Sequence, residues 1–259
     1  MATQGRHVRS VEKAIELLDC FWEAGRPLSL TELVQRTGWA KSTVHGLLSS
    51  MLDSAVVEQD RADGKYRLGY HLFELGGSVG ASWDVVALAR PRLLHIVATL
   101  GESAYLARLS GDELILVECS EPHNGFRVSS EVGCRIPLHC TSQGKSILSV
   151  MPEAEARALL KRKGMPEMTA ATITTWEDFR AQLELTRELG YAVERGEYRP
   201  GLQSVGAPIL NAQGRSEYAI GIVGVQRAGQ PSMDRRTIEM VKAAAAAVSM
   251  DLGWRERKN

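Results

Sequence analysis

The chain has 259 residues, 44% of them hydrophobic and 24% charged, which is typical of a globular protein and long enough to favour two domains. Its 31 basic and 31 acidic residues give a net charge of zero, so bulk charge does not indicate a nucleic-acid partner. The four scattered cysteines exclude a disulfide scaffold. Because there is neither an apolar run of about 20 residues nor an apolar N-terminus, we expect a cytoplasmic protein.

Three helices are predicted at the start of the chain. The first begins at Ser10, which can cap it, and its buried stripe consists of Val11, Ala14, Ile15, Leu18, Phe21 and Trp22. The second begins at Ser29, where Glu32 completes a capping-box pattern, and it ends at Gly38. The third has one apolar face, made of Val44, Leu47, Leu48, Met51 and Leu52. Two short helices joined by a tight turn that contains glycine indicate a helix-turn-helix.

The next segment has the pattern of a β-hairpin. Val57 leads into a tip at Asp63-Gly64, and Tyr66 and Leu68 lead out of it. A hairpin in this position is a wing, and its cations are Arg61, Lys65 and Arg67. The first 80 residues contain nine basic and ten acidic side chains, so the wing places positive charge locally, where a phosphate backbone would pass.

The remainder of the chain predicts a second domain of a different type. Residues 69–83 are predicted to form a linker helix that frays into a flexible joint at Gly76, Gly77 and Gly80. Helices are then predicted near 85–100, 142–151, 153–163, 175–189 and 232–252, and strands near 104–109, 113–119, 191–195, 204–210 and 218–225. This mixture favours an α+β fold with one central antiparallel sheet and helices packed on it.

Six blocks of the sequence resemble the IclR family of bacterial transcriptional regulators. They are RSVEKAIELLDCF, LSLTELVQRTGWAKSTVHGLLSSM, GKYRLGYHLFELG, RIPLHCTSQGKSIL, RELGYAVERGEYRPGLQSVGAPILNAQG and YAIGIVGV. The resemblance implies a winged helix-turn-helix over 1–68, a linker helix over 69–83 and a GAF-like effector-binding domain over 84–259. It also implies homodimers or homotetramers on partly palindromic operators, no cofactor and no catalytic residues.

The resemblance also implies which residues bind. Those expected to contact DNA are Arg9, Arg36, Lys41, Ser42, Thr43, His45, Arg61, Lys65 and Arg67. Those expected to line an effector pocket are Thr141, Ser142, Gly144, Glu194, Leu202, Ser204, Gly221 and Val223. Amides at the helix start near Ser142 would favour the anionic end of a ligand. We expect space beside Gly221, and an effector that is an organic acid or aromatic metabolite larger or less polar than glyoxylate. We also expect the protein to be a repressor rather than an activator.

Two departures from the family pattern stand out. Ala40 replaces a frequent proline before the third helix, and Gly221 and Val223 replace hydroxyl residues found in some members. The second departure leaves the identity of the effector open.

Several alternatives remain open at this stage. The polar face of the third helix could be only a solvated surface, and Thr141 could cap a helix without any ligand. The GKS sequence at 144–146 does not fit a phosphate-binding loop, because the glycine required five residues before Gly144 is His139. Cys134, His139 and Cys140 are zinc-ligand types, but their spacing matches no standard structural site, so no metal is predicted.

Two other functional classes compete with a regulator. One is an enzyme on a mixed α+β fold, and the other is a winged helix that binds protein instead of DNA. The sequence contains no His-Glu-x-x-His or Gly-x-Gly-x-x-Gly pattern, which counts against the common zinc-protease and dinucleotide-binding classes.

Overall fold

A computed structural model describes residues 8–81, 84–122, 130–226 and 233–255 of the chain. It divides into two compact units, Met1–Ser82 and Trp83–Asn259, which are described separately. Within the described ranges, no helix is both long enough and apolar enough to cross a lipid bilayer.

The first unit contains three helices, a hairpin and a fourth helix. They are α1 Arg9–Ala24, α2 Leu30–Thr37, α3 Lys41–Asp53, β1 Val57–Gln59, β2 Tyr66–Leu68 and α4 Tyr70–Ala81. The predicted capping box is present, with the Ser29 hydroxyl accepting from the Glu32 amide and the Glu32 carboxylate accepting from the Ser29 amide. Gly38 ends α2 in the left-handed conformation at φ +69°, and α3 begins three residues later. The predicted winged helix-turn-helix is confirmed.

The buried face of α1 differs from the predicted stripe. The helix begins at Arg9 after an N-cap at Val8 with no side-chain hydrogen bond, so Ser10 is not its cap. Leu17 and Phe21 are its buried residues, whereas Val11 and Ile15 are about half exposed and Trp22 is 42% exposed. The helix carries apolar side chains over a broad arc, and only the part that faces α2 and α3 is covered.

The fourth helix continues through the glycines of the predicted linker. It runs from Tyr70 through the glycines to Ala81, within the predicted range of 69–83, and fraying at the glycines stays a prediction. Glycine weakens an isolated helix by about 1 kcal/mol relative to alanine, but this does not stop a helix that is already formed. Residues 82 and 83, the last of the predicted linker, lie outside the described residues.

The second unit is built on one six-stranded antiparallel sheet of order β5-β4-β3-β8-β7-β6. Its elements are α5 Asp84–Leu100, β3 Ser103–Ser110, β4 Glu113–Ser120, β5 Arg135–Ile136, α6 Ser142–Ser149, α7 Glu153–Lys163, α8 Trp176–Leu189, β6 Ala192–Arg195, β7 Leu202–Leu210, β8 Ser216–Val225 and α9 Arg235–Asp251. The predicted α+β class is confirmed, and only the two-residue β5 was not predicted.

The sheet is buried on both faces. On β3, Ala104 and Leu106 join one core with α5 and α9, while Tyr105 and Ala107 join another with α6, α7 and α8. Successive side chains of a strand point to opposite faces, so one strand serves both cores. The face that packs against α6 holds the cavity described below.

Candidate nucleic-acid interface and effector cavity

The third helix buries one face and exposes the other. Val44, Leu48 and Met51 are buried, whereas Lys41 and His45 are exposed, as is Ser42; Thr43 is half-buried. Residues 41 and 45 are one turn apart and therefore share a face.

The start of α3 has no side-chain cap. Its N-cap is Ala40, which cannot accept a hydrogen bond with its side chain, unlike Ser29 at the start of α2. The first amides of a helix carry partial positive charge and need acceptors, and a phosphate oxygen can serve. The exposed start of α3 can therefore hold a phosphate next to the side chains that would reach base edges.

The three wing cations differ in how their charge is used. Arg67 is bound to Glu58, with Nη2 3.0 Å from Oε2, and Lys65 lies 3.2 Å from Asp63. Arg61 is exposed and, within the described part of the chain, has no ion pair. Of the three predicted wing contacts, Arg61 is the one whose charge is available without breaking a bond in the protein.

The other predicted DNA-binding cations lie on α1 and α2. Arg9 is the first residue of α1 and Arg36 lies in the last turn of α2, and both are exposed. Their contact with DNA stays a prediction.

A cavity of about 50 Å³ lies in the second unit, on the α6 face of the sheet. Its lining residues are Tyr105, Leu116, Ser130, Ile136, Thr141, Gln143, Glu194, Tyr198, Arg199, Leu202, Ser204 and Val223. Five of the eight residues predicted for the effector pocket line it, namely Thr141, Glu194, Leu202, Ser204 and Val223.

The other three predicted residues do not line this cavity. A Cβ on Gly144 would lie 2.1 Å from the Leu138 carbonyl oxygen, so this glycine allows close backbone packing. Ser142 is fully buried, and a Cβ on Gly206 would lie 2.8 Å from its carbonyl carbon. The backbone at the start of α6 is thus packed closely against β7.

The space expected beside Gly221 is already filled. A Cβ there would lie 2.6 Å from Nε2 of Gln143, so the Gln143 side chain occupies the volume that the missing side chain leaves. The expectation of extra room for hydrocarbon at this position is therefore wrong. Gln143 itself lines the cavity, and its place in the first turn of α6 was its one signal in the sequence.

Glu194 uses both carboxylate oxygens inside the protein. Oε1 accepts hydrogen bonds from the amides of Glu197 at 2.6 Å and Tyr198 at 3.2 Å, and Oε2 accepts one from the Ser204 hydroxyl at 3.1 Å. Burial raises the pKa of Glu194, while these donors act in the opposite direction. The main effect of this side chain is to hold the turn after β6.

That turn, residues 196–201, is here called the 196–201 loop. Lys145 donates to Glu197 with Nζ 2.5 Å from Oε1, and the Lys145 side chain is only 1% exposed. Thr169 and Thr172 donate to the backbone carbonyls of Gly196 and Glu197, both at 2.6 Å. The lysine of the GKS sequence is therefore a buried structural cation and does not bind phosphate.

The burial of Cys134, His139 and Cys140 changes their pKa values. Burial raises the pKa of Cys140 to about 12 and also raises that of Cys134, which disfavours the thiolate that a metal requires. Burial lowers the pKa of His139, whose Nε2 lies 3.0 Å from the Pro166 carbonyl oxygen. Among the described residues, no three His, Cys, Asp or Glu side chains are grouped so that they could hold a metal ion.

Two family models match the chain, one for each unit. The "IclR helix-turn-helix domain" matches residues 10–61, and the "Bacterial transcriptional regulator IclR C-terminal" model matches residues 78–250. The chain belongs to the IclR family of transcriptional regulators.

Similar IclR-family proteins cover almost the whole chain. The Escherichia coli regulator XynR is 31% identical over 247 residues, which is 95% of this chain and 98% of XynR. The E. coli transcriptional repressor IclR is 31% identical, over 84% of this chain and 80% of its own length. The crystal structure of a regulator from Alicyclobacillus acidocaldarius has a TM-score of 0.86 at 29% identity, covering 96% of this chain and all of that one. These proteins are regulators and not enzymes.

Proposed function

We propose that this IclR-family protein is a repressor whose affinity for operator DNA changes when a small organic acid or aromatic metabolite binds in the second unit. The observation that carries the proposal is the exposed, uncapped start of α3, with Lys41 and His45 on one face. We further propose the division into a DNA-binding domain over 1–68, a linker over 69–83 and a GAF-like effector domain over 84–259.

Repression is supported by the name of one relative, the transcriptional repressor IclR of E. coli, which is 31% identical. The effector is supported by the cavity on the α6 face, since concave sites with a few polar groups are where small ligands bind.

Two copies of the chain are needed to read a two-fold operator, because one helix-turn-helix contacts only a few base pairs. We propose a homodimer, with pairing into a tetramer as a further step. The support is apolar surface on α1 and α4, where Val11 and Ile15 are about half exposed, and Phe73 and Leu75 are 72% and 49% exposed. Leu72, which precedes Phe73 on α4, is half-buried.

DNA binding is tested by gel shift of the full chain on the region upstream of its own gene, over a range of salt concentrations. We expect specific retardation that weakens as salt rises, because phosphate contacts release counterions. Arg61→Gln should reduce the salt slope by about one, whereas Arg67→Gln should have a smaller effect because Glu58 already neutralises that charge. Thr43→Ala and His45→Ala should chiefly alter sequence preference.

The matched control is Arg180→Gln, which removes an exposed cation from α8 in the other unit and should leave the slope unchanged. Equal effects of the Arg61 and Arg180 substitutions would rule out the wing contact. No specific retardation by the parent chain would rule out the proposed function.

A further inference from the structure

We propose that Arg199 binds the carboxylate of the effector, and that the buried Lys145–Glu197 ion pair positions the loop that carries this arginine. The proposal rests on the proposed function, because it assigns a ligand class to the same cavity. With this assignment the cavity selects an anion and holds it at the 196–201 loop.

The charges of the lining residues support this assignment. Apart from Glu194 and Arg199, the described residues that line the cavity have apolar, amide, hydroxyl or phenol side chains. Burial raises the pKa of Tyr105 to about 12, so its hydroxyl stays neutral. Glu194 already accepts three hydrogen bonds from the protein. Among the described lining residues, the charge left for a ligand is the guanidinium of Arg199.

Arg199 has the freedom that a ligand-binding arginine needs. Within the described residues it has no carboxylate partner, and its Cζ lies 5.3 Å from the centre of the Tyr198 ring. It both lines the cavity and is exposed to solvent, so an anion that enters from solvent meets it. A guanidinium binds a carboxylate through two parallel hydrogen bonds, which gives direction as well as charge compensation.

The opposite wall is suited to hydrocarbon. Leu116, Ile136, Leu202 and Val223 line the cavity. A volume of about 50 Å³ corresponds to room for roughly four water molecules, so in this conformation the cavity fits a compact acid with a short apolar part. This favours a smaller ligand than the sequence suggested.

The loop that carries Arg199 is held by buried polar contacts. Glu194 binds the amides of Glu197 and Tyr198, and Lys145 binds the Glu197 carboxylate and, at 3.3 Å, the Val193 carbonyl. A loop that is ordered before binding does not lose that entropy when the ligand arrives. Lys145 and Glu197 are therefore positioning residues for Arg199, although they do not line the cavity themselves.

The start of α6 lies on the same cavity, and one of its amides is capped from within the helix. The Thr141 hydroxyl accepts a hydrogen bond from the Gly144 amide, and the backbone of Ser142 is packed against Gly206. One donor of the kind that binds an anion at a helix N-terminus is thus already used within the protein.

The test compares acids with their neutral amides on the full chain. The probes are butyrate with butyramide and lactate with lactamide, titrated by calorimetry. We expect the parent to bind at least one acid roughly tenfold or more tightly than its amide, the range of a charge-assisted contact. Arg199→Gln should reduce that ratio to about one, Arg199→Lys should retain part of it, and Arg180→Gln should leave it unchanged.

Positioning is tested by Glu197→Gln, which keeps the side-chain shape. We expect it to lower the acid-to-amide ratio although Arg199 is present, whereas a merely structural defect would weaken both probes equally. If neither acid binds the parent, if the amides bind as tightly, or if Arg199→Gln keeps the ratio, the proposal is overturned. An equal loss for both probes in Glu197→Gln overturns the positioning role. Operator binding by the unliganded parent is measured separately and decides the proposed function by itself.

Discussion

Removing one partner of the Lys145–Glu197 pair should strongly destabilise the second unit. The two side chains are 1% and 11% exposed, and Oε2 of Glu197 is buried without a hydrogen-bond partner among the described residues. Lys145→Met fills the volume but leaves the Glu197 carboxylate buried and uncompensated. Breaking such a pair costs about 3–5 kcal/mol, a large share of a total stability of roughly 5–15 kcal/mol.

The assay is urea unfolding and calorimetry of the full chain, following the transition of the second unit. A loss of about 3–5 kcal/mol corresponds to a decrease in Tm of roughly 6–20 °C for a unit of this size. The double variant Lys145→Met with Glu197→Met removes both charges, so we expect it to be more stable than Lys145→Met alone.

The control is the exposed pair of Arg162 and Asp112, whose side chains are 57% and 40% exposed. Asp112→Asn should cost no more than about 1 kcal/mol because water screens that pair. A loss of stability in Lys145→Met no larger than that in Asp112→Asn would refute the destabilisation by an uncompensated buried charge. A double variant less stable than Lys145→Met would refute it as well.

Two further predictions concern the first unit. Ile15→Glu combined with Phe73→Glu should convert the dimer to a 28.4 kDa monomer, measured by sedimentation at micromolar concentration. The control is Leu94→Glu, at an exposed apolar position of α5, which should leave the dimer intact. A monomeric parent would contradict the proposed dimer. The Ser29 amide and Arg26 lower the pKa of Glu32 to about 2, so its capping contribution is present above pH 4.5 and lost as pH falls towards 2. Glu32→Gln should remove that part of the pH dependence of unfolding, and an unchanged profile would exclude it.

Local sequence patterns predicted the first unit well where the determinants are close in sequence. Ser29 and Glu32 form a capping box, and Gly38 adopts the left-handed conformation that ends α2, because three or four residues contain all the necessary groups. Periodicity could not show which side of α1 faces the core, since Ile15 and Leu17 are equally apolar.

The candidate cavity was predicted only in part for a related reason. Thr141 and Glu194 were assigned from their motifs and do line the cavity. Gly221 was interpreted as open space, but Gln143 from another element fills it, and sequence alone does not give side-chain positions across elements. Arg199 was missed because a sequence does not show whether an arginine has a carboxylate partner in the fold.

The packing of α6 limits how far the cavity can change shape. The backbone of α6 at Gly144 lies directly against that of Leu138, and the backbone of β7 at Gly206 lies directly against that of Ser142. No side chain lies between these backbones that could change its rotamer and absorb a displacement. The first turn of α6 therefore cannot shift unless β7 moves with it. The 196–201 loop on the other side is held by its own buried contacts, so we expect an effector to match the present shape of the cavity instead of reshaping it.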